Sequence, residues 1–368
     1  MIRILQIYDH LGINCGIMSV IMNWYRHVNP NEIQFDFLVA ERRDYSYEAE
    51  IKKLGGQVYY MGESLSVSRM PGIIRNTKKF MKNNARKYAA VHLHSHAFAY
   101  PYLYYAKKYG CEKRISHAHS ISLGNSVISS VRNRLMIYPI KFLSNIHLAC
   151  SEKAGKCLYS TIGVKNFDII LNGIDFDKYK YTPEKRFQMR KELGIGKNEL
   201  AIIHVSNMNP IKNVPFVVET VSKIKSMCKC KLILVGKKDI PDEVVRAIQT
   251  YNIEYNVINL GVRSDVPELL QAADICLMPS KSEGLGIVAI ECQATGLPVI
   301  TSLGFPEDVY VTDIIKRLAL QSQVWAETAV ELAAKRTFQI DLRNASTVYD
   351  IRSITKRIIQ YYKKEVVL

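Results

Sequence analysis

Residues 257–291 run VINLGVRSDVPELLQAADICLMPSKSEGLGIVAIE, and their hydrophobic pattern decides the fold class. Residues 257–260 are a short apolar run closed by Gly261, and a segment with helix-period apolar residues follows. Residues 275–279 form a second apolar run, of the length of a buried strand. The turn Glu283-Gly284-Leu285-Gly286 comes next, and a helix is predicted from near Leu285. Strand, turn, helix, strand, turn, helix is the repeating unit of a parallel α/β sheet. Strands that are apolar throughout, without alternation, are covered on both faces.

The same alternation extends to both sides. Runs at 200–206, 231–235 and 298–301 complete one series with 257–260 and 275–279. An earlier series occupies 2–8, 35–40, 58–61, 90–94, 114–117, 146–150 and 167–171, with helix-length gaps between most members. Two successive doubly wound domains are expected, 1–170 and 171–342, with a helix at about 343–368. The seam is placed at Asn172-Gly173-Ile174-Asp175, a turn followed by a polar, charged stretch to Arg190. Ligands of such sheets bind outside the carboxyl ends of the strands, so the cleft between domains is the expected site. The first strand leads into Leu11-Gly12-Ile13-Asn14-Cys15-Gly16, without the G-x-G-x-x-G of dinucleotide-binding sheets.

Composition narrows the class. The chain has 368 residues, enough for two cores, and 48% of them are hydrophobic. No stretch reaches the roughly 18 consecutive apolar residues of a membrane span. Met1 runs directly into the first strand, with no small-residue cleavage site, and a cytoplasmic location is expected. The eight cysteines lack C-x-x-C spacing and are read as reduced, mostly buried thiols. The net charge of +16 is concentrated between residues 51 and 150, where 16 Lys/Arg face only Glu63 and Glu112. A field of that sign attracts anionic partners: a lipid surface, a pyrophosphate carrier or nucleic acid.

The chemistry-bearing residues gather behind the strand ending at Pro279. Gly284 and Gly286 permit close backbone approach, and the following helix start offers unpaired N–H groups to a phosphate. Glu283 precedes that helix, whereas Glu291 lies inside it among apolar residues. A buried carboxylate needs donors, which sugar or ribose hydroxyls supply. On spacing alone, a half-exposed acid at a helix start and a solvated helical acid are an equal alternative.

With its surroundings, this segment resembles the donor half of the family 4 retaining glycosyltransferases of GT-B fold. Within that family it is most similar to transferases of bacterial capsule and exopolysaccharide synthesis. Further matches are Met22-Asn23-Trp24-Tyr25-Arg26-His27, Ala149 to Gly155, Asn172 to Asp175 and Asn209-Pro210-Ile211-Lys212-Asn213. The resemblance implies transfer from a nucleoside-diphosphate sugar, expected to be a UDP-sugar, to a lipid-linked saccharide with anomeric retention. It implies no cofactor and no bound metal, and that the helix at about 343–368 packs back onto the first domain. Glu291 then matches the acid on the donor ribose and Glu283 the acid on the transferred sugar. The backbone of Gly284, Leu285 and Gly286 holds sugar and diphosphate, and the backbone at Val262 and Arg263 reads the base. Lys212 matches the lysine on the diphosphate, and Gly16 the N-terminal loop glycine near the phosphates. Where the family has Gly-Arg, this chain has Ser206-Asn207, so a cation is missing at Asn207; Lys237 and Lys238 are candidate substitutes.

Histidines cluster at 92, 94 and 96 and at 117 and 119, at alternate strand positions that share a face. Metal binding is one reading. The resemblance implies instead that His119 contacts the transferred sugar, with His94 and His117 lining the cleft. Asp175 and Asp177 form a D-x-D read as a surface turn. Lys78, Lys79, Lys82, Arg86 and Lys87 fall on one predicted helix. Arg132, Arg134 and Lys141 fall on another, 127–143, whose apolar residues suit an anionic membrane surface as well as packing within the protein. A peripheral position at the inner face of the plasma membrane is expected. The competing readings are a non-catalytic nucleotide-sugar-binding relative, a GT-B nucleotide-sugar epimerase and a basic nucleic-acid-binding protein; no nucleic-acid motif accompanies the charge.

Overall fold

The computed structural model describes residues 1–13, 15–62, 65–120, 127–336, 338 and 341–363. Asn14, Glu63 and Lys364, the last being the predicted end of the final helix, lie outside them. The chain divides into two compact units: 1–173 with the segment from Ile351 onward, and 174–350.

The first unit holds β1 (Ile2–Tyr8), β2 (Ile33–Val39), β3 (Val58–Tyr60), β4 (Ala90–Leu93), β5 (Lys113–Ala118), β6 (Ile146–Ala149) and β7 (Asp168–Ile169). They form one seven-stranded sheet in the order β3-β2-β1-β4-β5-β6-β7, parallel throughout. Alternation along each strand sorts its side chains between two cores. Leu5, Ile7, Val91 and Leu93 face one core, and Ile4, Ala90 and Ile115 face the other. Helices Gly16–His27 and Ile351–Lys363 cover the second face. The latter helix meets it through Ile351, Ile354, Ile358 and Tyr362, a stripe at helical spacing.

The second unit holds β8 (Leu200–Val205), β9 (Cys230–Val235), β10 (Val257–Gly261), β11 (Ile275–Met278), β12 (Val299–Ser302) and β13 (Ile315–Leu318). Their order is β10-β9-β8-β11-β12-β13, again all parallel. The two expected doubly wound α/β domains are present.

Several boundaries move, each for a local reason. Residues 171–173 stay with the first unit, and the helix Arg343–Tyr349 stays with the second. The single helix expected from 343 is broken at Asp350, whose extended backbone pairs with Ile174 where the chain crosses between units. The helix expected over 127–143 is two, Val127–Ile137 and Ile140–Leu143, separated at Pro139. Arg86 and Lys87 lie beyond the helix Met70–Asn84, in a 3-10 turn. Most of the charged stretch to Arg190 belongs to the helix Pro183–Glu192. There Arg186 and Arg190 share Asp274 and donate to carbonyls at 271–273.

Candidate active site

In the second unit the strand order reverses between β8 and β11, and the loops leaving their carboxyl ends are bound to each other. His204 is buried near the end of β8. Its Nδ1–H donates to the Leu277 carbonyl at 2.7 Å, and its Nε2 accepts from the Ser206 hydroxyl at 2.8 Å. Burial, opposed by the carbonyl and assisted by Lys212, lowers its pKa to about 4, so the ring is neutral. The Ser206 oxygen accepts from Met208 N at 3.0 Å. Asn209 Oδ1 then accepts from Ile211 N (3.1 Å) and Lys212 N (3.3 Å), fixing the turn that carries Lys212.

From that turn Lys212 Nζ donates to Glu283 Oε1 at 2.6 Å. Glu283 is 8% exposed. Its loop is pinned on both sides: Lys281 N donates to the Ile211 carbonyl (2.8 Å) and Glu283 N to the Gly304 carbonyl (3.1 Å). Ser302 Oγ also donates to the Ser280 carbonyl. Gly286 ends the loop at φ +77°, and a Cβ there would lie 2.4 Å from the Phe305 ring. The following helix is Ile287–Ala294, so it starts two residues later than Leu285, which is itself buried. Glu291 sits on this helix, partly buried; burial raises its carboxyl pKa and a hydrogen bond from Tyr179 opposes that rise.

The structure therefore brings Lys212, Glu283, Gly284, Leu285, Gly286 and Glu291 into one region of the second unit. Val262 and Arg263 follow β10 on the same sheet. The Arg263 side chain is committed to Asp265, at 2.5 Å, and Glu192, at 3.3 Å. Asn207 is exposed and accepts from Asn209 N at 3.3 Å. Lys237 and Lys238 are exposed behind β9. Asp175 pairs with Lys178 at 3.7 Å.

Gly16, His94, His117 and His119 belong to the first unit. Gly16 is the first residue of its helix, with open space where a Cβ would stand. The histidines form a bonded row on the sheet face under Trp24, which stacks on His92 and His117. His92 Nε2 meets His117 Nδ1 at 3.2 Å, and His94 Nδ1 meets His119 Nε2 at 2.8 Å. Burial first, then neighbouring imidazoles, drives the pKa values of His92, His94 and His117 far below normal, and that of His119 to about 3. His92, His94 and His117 have nitrogens within 4.8 Å of one another, close enough to share a metal. Both nitrogens of His92 and of His94 are already hydrogen-bonded, so a metal there would displace those bonds.

Sequence reasoning did not find His204, Tyr179, Gln6 or Tyr362 as participants. A lone His inside the apolar run 200–206 was the available signal for His204. No local signal exists for Tyr362, which bonds His92 across 270 positions.

Residues 185–334, all in the second unit, match the family model of glycosyl transferases group 1. The fold is that of the GT-B glycosyltransferase structures, and the similarity to group 1 glycosyl transferases lies in the second unit. The chain is similar to EpsF of Bacillus subtilis, itself assigned as a glycosyltransferase: 29% identity over 359 residues, 94% of this chain and 93% of EpsF. It is 25% identical over 287 residues to the Escherichia coli UDP-Gal:alpha-D-GlcNAc-diphosphoundecaprenol alpha-1,3-galactosyltransferase, covering 73% of this chain and 74% of that enzyme. In fold it matches Anabaena HepE, solved in complex with UDP and glucose: TM-score 0.82, 18% identity, 99% of this chain and 100% of HepE.

Proposed function

We propose that this protein transfers a sugar from a UDP-sugar to a hydroxyl of a lipid-linked saccharide in capsule or exopolysaccharide synthesis, with retention at the anomeric carbon. The observation that carries the reading is the Lys212–Glu283 pair held between the loops of β8 and β11, with Glu291 on the helix that follows. Glu291 accepts from the ribose hydroxyls and Glu283 from hydroxyls of the transferred sugar. The backbone of Gly284, Leu285 and Gly286 donates to the diphosphate, and Lys212 offsets the charge of the leaving group. With Asn207 in place of an arginine, Lys212 carries most of that task. The acids bind and orient. The leaving phosphate takes the acceptor proton on the face it leaves, with no protein nucleophile and no metal.

The acceptor falls to the first unit. Val131, Leu135, Tyr138 and Phe142 are exposed there among Arg132, Arg134 and Lys141, a surface suited to anionic lipid. No helix among the described residues is long and apolar enough to cross a membrane. The galactosyltransferase of E. coli, acting from UDP-Gal on a diphosphoundecaprenol-linked sugar, and HepE, which binds UDP and glucose, support a UDP-sugar donor and a lipid-diphosphate carrier.

The test is incubation with a panel of UDP-sugars and undecaprenyl-diphosphate saccharides. Acceptor-dependent product with retained anomeric configuration, formed equally in EDTA, is expected. Epimerised donor with no acceptor-dependent product would point to the epimerase; binding with no turnover would point to a non-catalytic relative.

A further inference from the structure

The buried histidine row has a direction, and one amide sets it. Gln6, on β1 and fully buried, lies between two arms. Its Nε2 donates to Tyr362 Oη at 3.2 Å, and its Oε1 faces His94 Nε2 at 2.8 Å. An amide oxygen only accepts, so His94 carries its proton on Nε2. Because the ring is neutral, His94 Nδ1 is bare and accepts from His119 Nε2–H at 2.8 Å. His119 is left with an unprotonated Nδ1.

The other arm runs outward. The Tyr362 oxygen accepts from Gln6, so its hydrogen goes to His92 Nδ1 at 2.8 Å. His92 is then protonated on Nε2 and donates to His117 Nδ1 at 3.2 Å. His117 in turn holds its proton on Nε2. Turning the Gln6 amide over reverses every bond in both arms and moves each proton to Nδ1. Mixed states break a buried hydrogen bond, at a cost of about 1–3 kcal/mol. The two settings are therefore separated as a unit. Both arms end on buried nitrogens without a partner among the described residues, His117 Nε2 and His119 Nδ1. The orientation of the Gln6 amide, oxygen toward His94 and nitrogen toward Tyr362, is the setting with all four rings protonated on Nε2.

We infer that Gln6 and Tyr362 are positioning residues: through two hydrogen-bonded arms they hold His92, His94, His117 and His119 as Nε2–H tautomers and leave His119 a neutral acceptor. The tautomers follow from the hydrogen bonds alone, whereas an effect on turnover rests on the glycosyl-transfer reading. Tyr362 makes the helix Ile351–Lys363 part of this arrangement as well as a cover for the sheet.

Long-range 1H–15N spectra of the full chain labelled at histidine test this, with single His→Gln variants providing assignments. At neutral pH the four rings are expected to show protonated Nε2 and bare Nδ1. Gln6→Met, close in volume and without hydrogen-bonding groups, should release His94 and His119 into mixed tautomers and lower kcat about tenfold with KM little changed, the loss of about one hydrogen bond. Tyr362→Phe should release His92 and His117 and leave His94 and His119 as they were. A native ring protonated on Nδ1, or tautomers unchanged in both variants, would overturn the relay. Four Nε2–H rings in a protein that binds no UDP-sugar would leave the relay standing and remove the transfer reading.

Discussion

At the scale of single residues, the site rests on one cation. Lys212 meets Glu283 at 2.6 Å, and in the proposed site the same ammonium faces the diphosphate. Lys212→Met removes that charge and keeps most of the chain length. It should lower kcat by about 10²-fold, the ~3 kcal/mol typical of one group that stabilises developing charge. Steady-state kinetics with a saturating acceptor measures it, and an unchanged kcat would move the diphosphate contact elsewhere, to Lys237 or Lys238. The spacing of Glu283 and Glu291 was visible in the sequence, and so was the lysine turn. Asp265 stands two positions from Arg263, but the sequence did not reveal that Arg263 also reaches Glu192, because a charge partner 71 positions away leaves no local pattern.

At the scale of elements, the loop between β11 and its helix is held by its glycines. Gly286 takes a left-handed backbone, φ +77°, against the Phe305 ring. Gly286→Ala adds both a conformational cost of about 1–2 kcal/mol and a clash that displaces Phe305. Thermal unfolding should fall by several degrees and donor affinity with it. Retention of both would show that the loop tolerates a Cβ. Most strands were legible as apolar runs. β13 was not, because the edge strand Ile315–Leu318 exposes Lys316 and Arg317, charges that blunt an edge and erase the pattern. The helix broken at Pro139 was legible in hindsight from that proline alone.

At the scale of the whole molecule, the two sheets were readable from the restart of the pattern, and the return of the C-terminal helix to the first unit only from the family resemblance. The burial of Tyr362 beside Gln6 was not, since contacts between distant segments depend on the completed fold. Charge remained the most direct global clue. Arg75, Lys78, Lys79 and Lys82 are exposed on one helix, and Leu135 and Phe142 are exposed among cations on two others. The protein should sediment with vesicles containing anionic phospholipid and release as salt shortens the Debye length. Replacing Leu135 and Phe142 together by Ser should weaken that partition by tenfold or more, given about 1.5–3 kcal/mol for each large apolar side chain fully buried. Equal sedimentation with neutral vesicles would contradict an electrostatic surface.

Calorimetric titration of a UDP-sugar panel into the native chain and into Glu291→Ala tests most directly whether Glu283, Glu291 and Lys212 form a nucleotide-sugar donor site. At least one UDP-sugar is expected to bind at one site per chain, weakened about tenfold to a hundredfold in the variant, as for lost hydrogen bonds to a charged group. Absence of binding across the panel, or equal affinity in the two proteins, would contradict it.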